Sequence, residues 1–373
     1  MARTTVLPTD PLKRKAWAAK VAEDSAKDQY YARLIGPEGS RSALVKKTDT
    51  EAGAGDEVVT ALVAKLRGTP VIEGQKLAGQ EFRLSTASHT MRVNEFRQGV
   101  NVGARIEQSR VGFNLKRQGR DRLTEYITEF TEEVITMALA GHRGVGTEIQ
   151  HFPAGWVGYP NAFRSPDTAH TFIGTDNSHT GGAGGTMTTS DLVAMKTITR
   201  LRTKAKKMLG GQPDNATKIQ TIRKGGRECY VLPLCPEQIQ DFREDTGAQA
   251  WFEAQKALIQ NMGKEAEFFK GGAGYFNGIL VDEVDTCVKF TNYGSGSNVP
   301  AARALLLGAN AGCVAFGTKG MADGMTVGLD EDTDDRGHDS ILTFEIIFGA
   351  DKTAFNSMDY GSITLDTAFT AAA

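Results

Sequence analysis

"LAGQEFRLSTASHTMRVNEFRQGVNV", residues 77–102, alternates with a period of two. Phe82 and Leu84 flank Arg83, and Met91 and Val93 flank Arg92. That period predicts extended strand. Yet polar positions outnumber apolar ones between Gln75 and Asn101, so the strand has little apolar face with which to cover a core. Upstream, "VVTALVAKL" (58–66) opens on two β-branched valines and predicts a second strand. Between them "RGTPVIEGQKLAGQ" (67–80) carries three glycines and a proline. Residues 56–102 therefore predict one long antiparallel excursion, out to a glycine-rich tip and back. A polar ribbon of this kind specifies its own register weakly, and two strands alone are marginal in water. Something outside the ribbon must hold it.

Working outward, the next stretch is strongly helical. In "NLKRQGRDRLTEYITEFTEEVITMALAG" (114–141), Leu123, Ile127, Phe130, Val134, Met137 and Ala138 recur at spacings of three and four. Asn114 suits the N-cap and Gly141 the C-cap. At 1.5 Å per residue such a helix spans about 40 Å. Its charges oppose the helix dipole, with Lys116, Arg117, Arg120 and Arg122 early and Glu125, Glu129, Glu132 and Glu133 late. Either this is a solvated face, or each end meets opposite charge on a neighbouring element or subunit.

The remainder reads as mixed helix and strand. Residues 10–32 predict a charged helix with a thin apolar stripe, an arm that needs something to lie on. Residues 145–189 are irregular, ending in "HTGGAGGT". Helices are predicted at 190–209, after "CYVLPLC" (229–235) and at 248–262. "CYVLPLC" itself, part of "YFNGILVDEVDTCVKF" (275–290), "SILTFEIIFG" (340–349) and "GSITLDTAF" (361–369) read as strands, while "ARALLLGANAGCVAFG" fits strand-and-turn or helix. This order is α+β rather than doubly wound.

The composition is foldable: 373 residues, 40% hydrophobic and 24% charged, with net charge −2 and 42 glycines. The whole chain has no basic signature for nucleic acid. No apolar run reaches the ~18 residues of a spanning helix, and the first residues lack the apolar stretch of a signal peptide. The four cysteines, none in a C-x-x-C pair, are expected to be buried thiols of an intracellular chain. The sequence assembles no catalytic constellation. "GGAGG" (181–185) lacks the lysine of a phosphate loop. The histidines fall at no metal-pair spacing. "LDEDTDDRGHDS" (329–340) begins like an EF-hand but has Asp335 where the turn glycine belongs and Ile341 where the closing glutamate belongs. It is expected to be a solvated acidic loop. Basic residues collect between Lys196 and Arg227, ten against the single acid Asp214. They form a solvated face, or meet acidic neighbours or nucleic acid phosphates. Aromatic residues for strand stacking are missing between them.

With its ordered set of segments and no active site, the chain resembles the major capsid proteins of tailed phages, specifically the family typified by the capsid protein of coliphage N-four. The resemblance rests on "SALVKKTDTEAGAGDEVVTALVAKLRGTPVIEGQKLAGQEFRLSTASHTMRVNEFRQGV", "GYFNGILVDE", "ARALLLGANAGCVAFG" and "IIFGADKTAFNSMDYGSITLDT". It runs from about residue 42 to 369, with 145–190 outside it. Membership implies the Johnson fold, first seen in the Hong Kong 97 phage. On this sequence it implies an N-terminal arm at 1–50, an E-loop at 51–100, and a P-domain at 101–190 with spine helix 114–141. An A-domain at 191–320 and return strands at 321–373 complete it.

The expected function is the self-assembling icosahedral shell around a double-stranded DNA genome, with no enzyme activity, cofactor, metal or membrane. Partners implied are the chain itself as hexamers and pentamers, packaged DNA, and a portal, scaffold or decoration protein. The expected setting is the virion, assembled in the host bacterial cytoplasm. Lys204, Lys206, Lys207, Arg223 and Lys224 are expected to face other subunits or DNA, and Arg67, Glu73, Lys76 and Arg83 to make E-loop contacts. The alternatives are an encapsulin-like compartment shell and a nucleic-acid-binding protein working through 196–227.

Overall fold

The computed structural model describes residues 29–47, 57–63, 69–82, 84, 86–153, 156, 158–177, 185–208, 218–224, 227–245, 274–317, 327–334 and 339–370. Among these residues two sheets form the body, with strands numbered in chain order. The larger runs β6 (Thr171–Ile173), β18 (Ser362–Ala368), β12 (Val299–Leu307), β8 (Arg227–Leu234), β10 (Ile279–Glu283) and β9 (Gly274–Phe276). There β11 (Val288–Tyr293) also pairs with β12, and β7 (Ile222–Lys224) with β8. The second runs β1 (Ile35–Gly36), β2 (Leu44–Lys47), β13 (Gly312–Gly317), β15 (Asp339–Lys352) and β14 (Val327–Asp334), with β5 (Asn94–Ala104) also on β15. Two ribbons complete the set: β3 (Glu57–Val63) with β4 (Thr86–Arg92), and β16 (Ala354–Phe355) with β17 (Met358–Asp359).

The central strands of the larger sheet are covered on both faces, so even the polar residues of β18 are buried. Every residue of β18 is buried, and seven of the nine in β12. "ARALLLGANAGCVAFG" resolves as β12, a turn with Asn310 at φ 58°, and β13. Two apolar cores result. In the first, Leu123, Ile127, Phe130 and Val134 of the long helix pack with Leu342, Phe344 and Ile346 of β15. In the second, Ile198 and Leu201 pack with Tyr230, Leu232, Leu306 and Ile363.

The long helix spans Leu115–Ala140, and its caps are local. Asn114 accepts a hydrogen bond from the Arg117 N–H at 3.1 Å, and Gly141 sits at φ 67° with its N–H on the Met137 carbonyl at 2.8 Å. A Cβ on Gly141 would lie 1.8 Å from the Arg164 carbonyl oxygen. Gly141→Ala is therefore expected to cost on the order of 3 kcal/mol in a urea-denaturation experiment, combining left-handed strain with a backbone clash. Several of the inverted charges find partners within the chain. Glu331 of β14 accepts from Lys116 at 2.5 Å and Arg120 at 3.1 Å. Buried Glu133 accepts from the Gln150 and His151 N–H groups, and Glu132 from the Tyr30 N–H.

A buried ion network ties this helix to the larger sheet. Arg303 donates to both carboxylate oxygens of Asp366 at 2.7 Å and to the Ala140 carbonyl at 2.9 Å. The Tyr293 hydroxyl donates to Asp366 at 2.7 Å. Arg303 and Asp366 sit directly opposite on β12 and β18.

Several expectations change. The predicted 190–209 helix begins at Met195 and ends at Lys207. Asp191 is engaged in holding the preceding loop: it accepts from the Thr188 N–H and hydroxyl and from the Thr175 hydroxyl. The acidic stretch is not a loop at its start, because Val327–Asp334 pairs antiparallel with β15, Asp330 opposite Thr343 and Asp332 opposite Ile341. "YFNGILVDEVDTCVKF" supplies three strands rather than one. Tyr30–Leu34 is a 3-10 turn, not the end of an α-helix. Residues 10–28 of that predicted helix, the 248–262 helix and most of "GGAGG" lie outside the described residues. All four cysteines are buried and none is in a disulfide.

Candidate subunit-contact surfaces

The ribbon β3–β4 pairs from Glu57 opposite Arg92 to Val63 opposite Thr86. Its base is fixed from several directions. Val58 and Met91 are buried with Val93, Cys313 and Ala315. Asn161 clasps Arg92, accepting from its N–H and donating to its carbonyl, each at 2.8 Å. The Arg92 guanidinium reaches Glu57 at 2.6 Å. Gly349 lets the return strand pass, since a Cβ there would sit 2.4 Å from the Arg92 carbonyl oxygen. Beyond Val93 the chain continues as β5, which pairs with β15 from Asn94 opposite Phe348 to Ala104 opposite Asp339. The external support that the polar ribbon requires is thus β15.

His89 is buried at this base, its Nε2 3.5 Å from Asp351 Oδ2. Burial, aided by Arg164, holds the imidazole down at about 4. Burial also pushes the Asp351 carboxyl up to about 6, against the pull of Arg164. At neutral pH the neutral ring therefore faces an ionised carboxylate that Arg164 approaches at 3.3 Å.

The distal part of the ribbon is different. Ile72 is 66% exposed, Leu77 62%, Phe82 49% and Leu84 64%. Large apolar side chains concentrated on one projecting segment mark a contact surface. Glu73 and Lys76 are exposed beside them, whereas Arg67 and Arg83 fall outside the described residues. The charged residues singled out from sequence are thus joined by apolar ones that were missed. Their signal was present: isoleucine, leucine and phenylalanine in a tip too short and glycine-broken to enclose them.

The basic segment divides. Lys204 is half-buried; its ammonium donates to the Thr171 carbonyl and lies 5.8 Å from the Phe172 ring centroid. Burial pulls its pKa down. Lys206 and Lys207 are exposed, and Lys207 continues an outward stripe with Lys196 and Arg200. Arg223 is exposed, 3.8 Å from Glu228. Lys224 pairs through its backbone with Arg227, and its side chain is outside the described set. The structure therefore does not gather the five basic residues into one site.

Among the described residues no cluster of three or more histidine, cysteine or acidic side chains could hold a metal ion, and no helix is long and apolar enough to cross a membrane. A family model described as phage capsid protein matches residues 4–371. The chain belongs to the phage capsid protein family. The capsid of Ralstonia phage GP4 is similar at 32% identity, covering 100% of both chains with a TM-score of 0.80. The cyanophage Pam1 capsid shares 18% identity over 92% of each chain at TM-score 0.70. The acid-stable capsid of Helicobacter pylori bacteriophage KHP30 shares 14% over 91% of each at 0.65. No curated protein matches the chain. The fold is α+β and Hong Kong 97-like, the Johnson fold, and the chain is a major capsid protein, a virion component that self-assembles into the shell. The family model and the solved structures named above are all phage capsids.

Proposed function

We propose that this subunit builds a closed icosahedral shell of hexamers and pentamers by laying its ribbon across a neighbouring copy. The observation that carries the reading is the run of exposed Ile72, Leu77, Phe82 and Leu84 on a ribbon whose base is locked. In this assignment residues 51–100 are the E-loop and 1–50 the arm. Residues 101–190, with the long helix as spine, are the P-domain, 191–320 the A-domain, and 321–373 the strands returning to the P-domain. Closed symmetry repeats each contact many times, so modest individual contacts suffice. The role is structural, without enzymatic turnover. Assembly takes place in the host bacterial cytoplasm around, or ahead of, double-stranded DNA. A portal, scaffold or decoration protein would complete the particle.

Expression of the chain alone, followed by negative-stain imaging, tests the reading. Uniform polyhedral shells or tubes are expected. A monodisperse monomer at high concentration would overturn self-sufficient assembly.

The exposed basic stripe suits contact with DNA phosphates or an acidic neighbour. Lys206→Glu with Lys207→Glu is expected to leave the subunit folded but to lower particle yield or DNA content. Any DNA component will also weaken steeply with salt. Normal particles with normal DNA content would reject the assignment. Lys204→Glu is a different experiment, because that ammonium already serves the Thr171 carbonyl. It should reduce stability first.

A further inference from the structure

The β16–β17 hairpin is very short, and its turn residues Asn356 and Ser357 both have positive φ, at 50° and 62°. At its open end two charged residues are buried together. Lys352, at the end of β15, is 0% exposed, and Asp359, at the end of β17, is 4% exposed. Their Nζ and Oδ2 atoms are 2.8 Å apart. A lysine with no exposed surface is unusual, and a buried ion pair is weak evidence for stability.

We propose that Lys352 and Asp359 are the two halves of an intramolecular isopeptide bond, formed spontaneously within the folded subunit. The surroundings shift both groups toward their reactive, uncharged forms. Burial pushes the Lys352 ammonium down, with Arg164 and Arg303 acting in the same direction against the pull of Asp359. Burial pushes the Asp359 carboxyl up, opposed by Lys352 and reinforced by the negative charge of Asp167. That charge is held in place. Burial works against ionisation of Asp167, yet the His170 ring and backbone N–H groups keep it at about 2. One of those N–H groups is Asp359's own, donating to Asp167 at 2.8 Å.

The reaction needs no other reagent. The Lys352 lone pair adds to the Asp359 carboxyl carbon, a C–N bond forms, and the C–OH bond breaks. The hydroxyl leaves with one amine proton as water, and nothing is oxidised or reduced. Holding the groups in contact supplies an effective concentration of about 10⁵–10⁸ M when they are well oriented. The product clamps the hairpin whose turn has both central residues in the left-handed region.

The test is the intact mass of the full-length chain, denatured after folding, with a peptide map. The folded wild-type chain should be lighter than its sequence by one water, and a digest should yield a branched peptide joining Lys352 to Asp359. Chain taken directly from inclusion bodies and never refolded should carry its full sequence mass. Lys352→Met should also carry it, whether or not that variant folds. A folded wild-type chain of full sequence mass would overturn the proposal. So would a water loss that persists in Lys352→Met or maps elsewhere, as a succinimide would. The measurement is indifferent to whether shells form, so its failure leaves the capsid assignment standing.

Discussion

Deletion of Thr69 to Gly79 should abolish shell formation while leaving a folded subunit. The removed segment is the exposed tip and contributes none of the buried core residues. The parts that locate the ribbon all lie on either side of it: Val58 and Met91 in their apolar cluster, the Asn161 clasp, and β5 along β15. Folding stability should therefore stay within about 1 kcal/mol of the parent, the range of surface changes away from special features. Assembly should fail because the tip carries Ile72 and Leu77, two of the most exposed large apolar side chains. Circular dichroism and urea denaturation report the first outcome, and sedimentation with microscopy the second. Intact shells from the deletion would refute the assignment of the ribbon as the principal reach between copies.

The largest effect on folding is expected at Arg303. Replacement by Met leaves the Asp366 carboxylate buried without its cation and the Ala140 carbonyl without its donor. Breaking a buried pair from one side typically costs about 3–5 kcal/mol. The network also joins the C-terminal end of the long helix to β12 and β18, so the damage spreads across two layers. Adding Asp366→Asn to Arg303→Met should recover part of the loss by removing the orphaned charge. A double-mutant cycle in urea measures the coupling. A single-mutant loss below about 1 kcal/mol would show that water or rearrangement satisfies the carboxylate.

Features set by near neighbours in sequence were legible. The long helix was bounded to within a residue because both stop signals, Asn114 and Gly141, act on their own turn. The helix after β8 begins on Pro236 for the same reason. The ribbon was legible from its period and its glycines. What the sequence did not reveal was pairing across distance. Glu331 looked like part of a solvated acidic run, yet its partners Lys116 and Arg120 lie more than two hundred positions earlier. Once they are counted, an acidic strand there is unsurprising. The same fact explains the apparently misplaced charges at the helix start. The helix expected from residue 190 starts only at Met195, because the preceding residues form a loop in which the Asp191 carboxylate serves Thr175 and Thr188. Among the contact residues, charge drew the eye to Glu73 and Lys76. Exposure, which sequence does not carry, adds the apolar residues around them, while Glu73 and Lys76 are exposed as well.

The pairing of β5 with β15 has a thermodynamic consequence. The return limb beyond Val93 has one edge of its backbone paired inside its own subunit, with β15 from Asn94 to Ala104. Its side chains are mostly exposed. In the proposed shell, a limb of this kind would arrive at its neighbour already stiff, so docking would surrender little chain entropy. Equally, a neighbour that departed would leave the β5–β15 ladder intact. Such joints can open and re-form, which lets a wrongly placed subunit be released before the shell closes around the error.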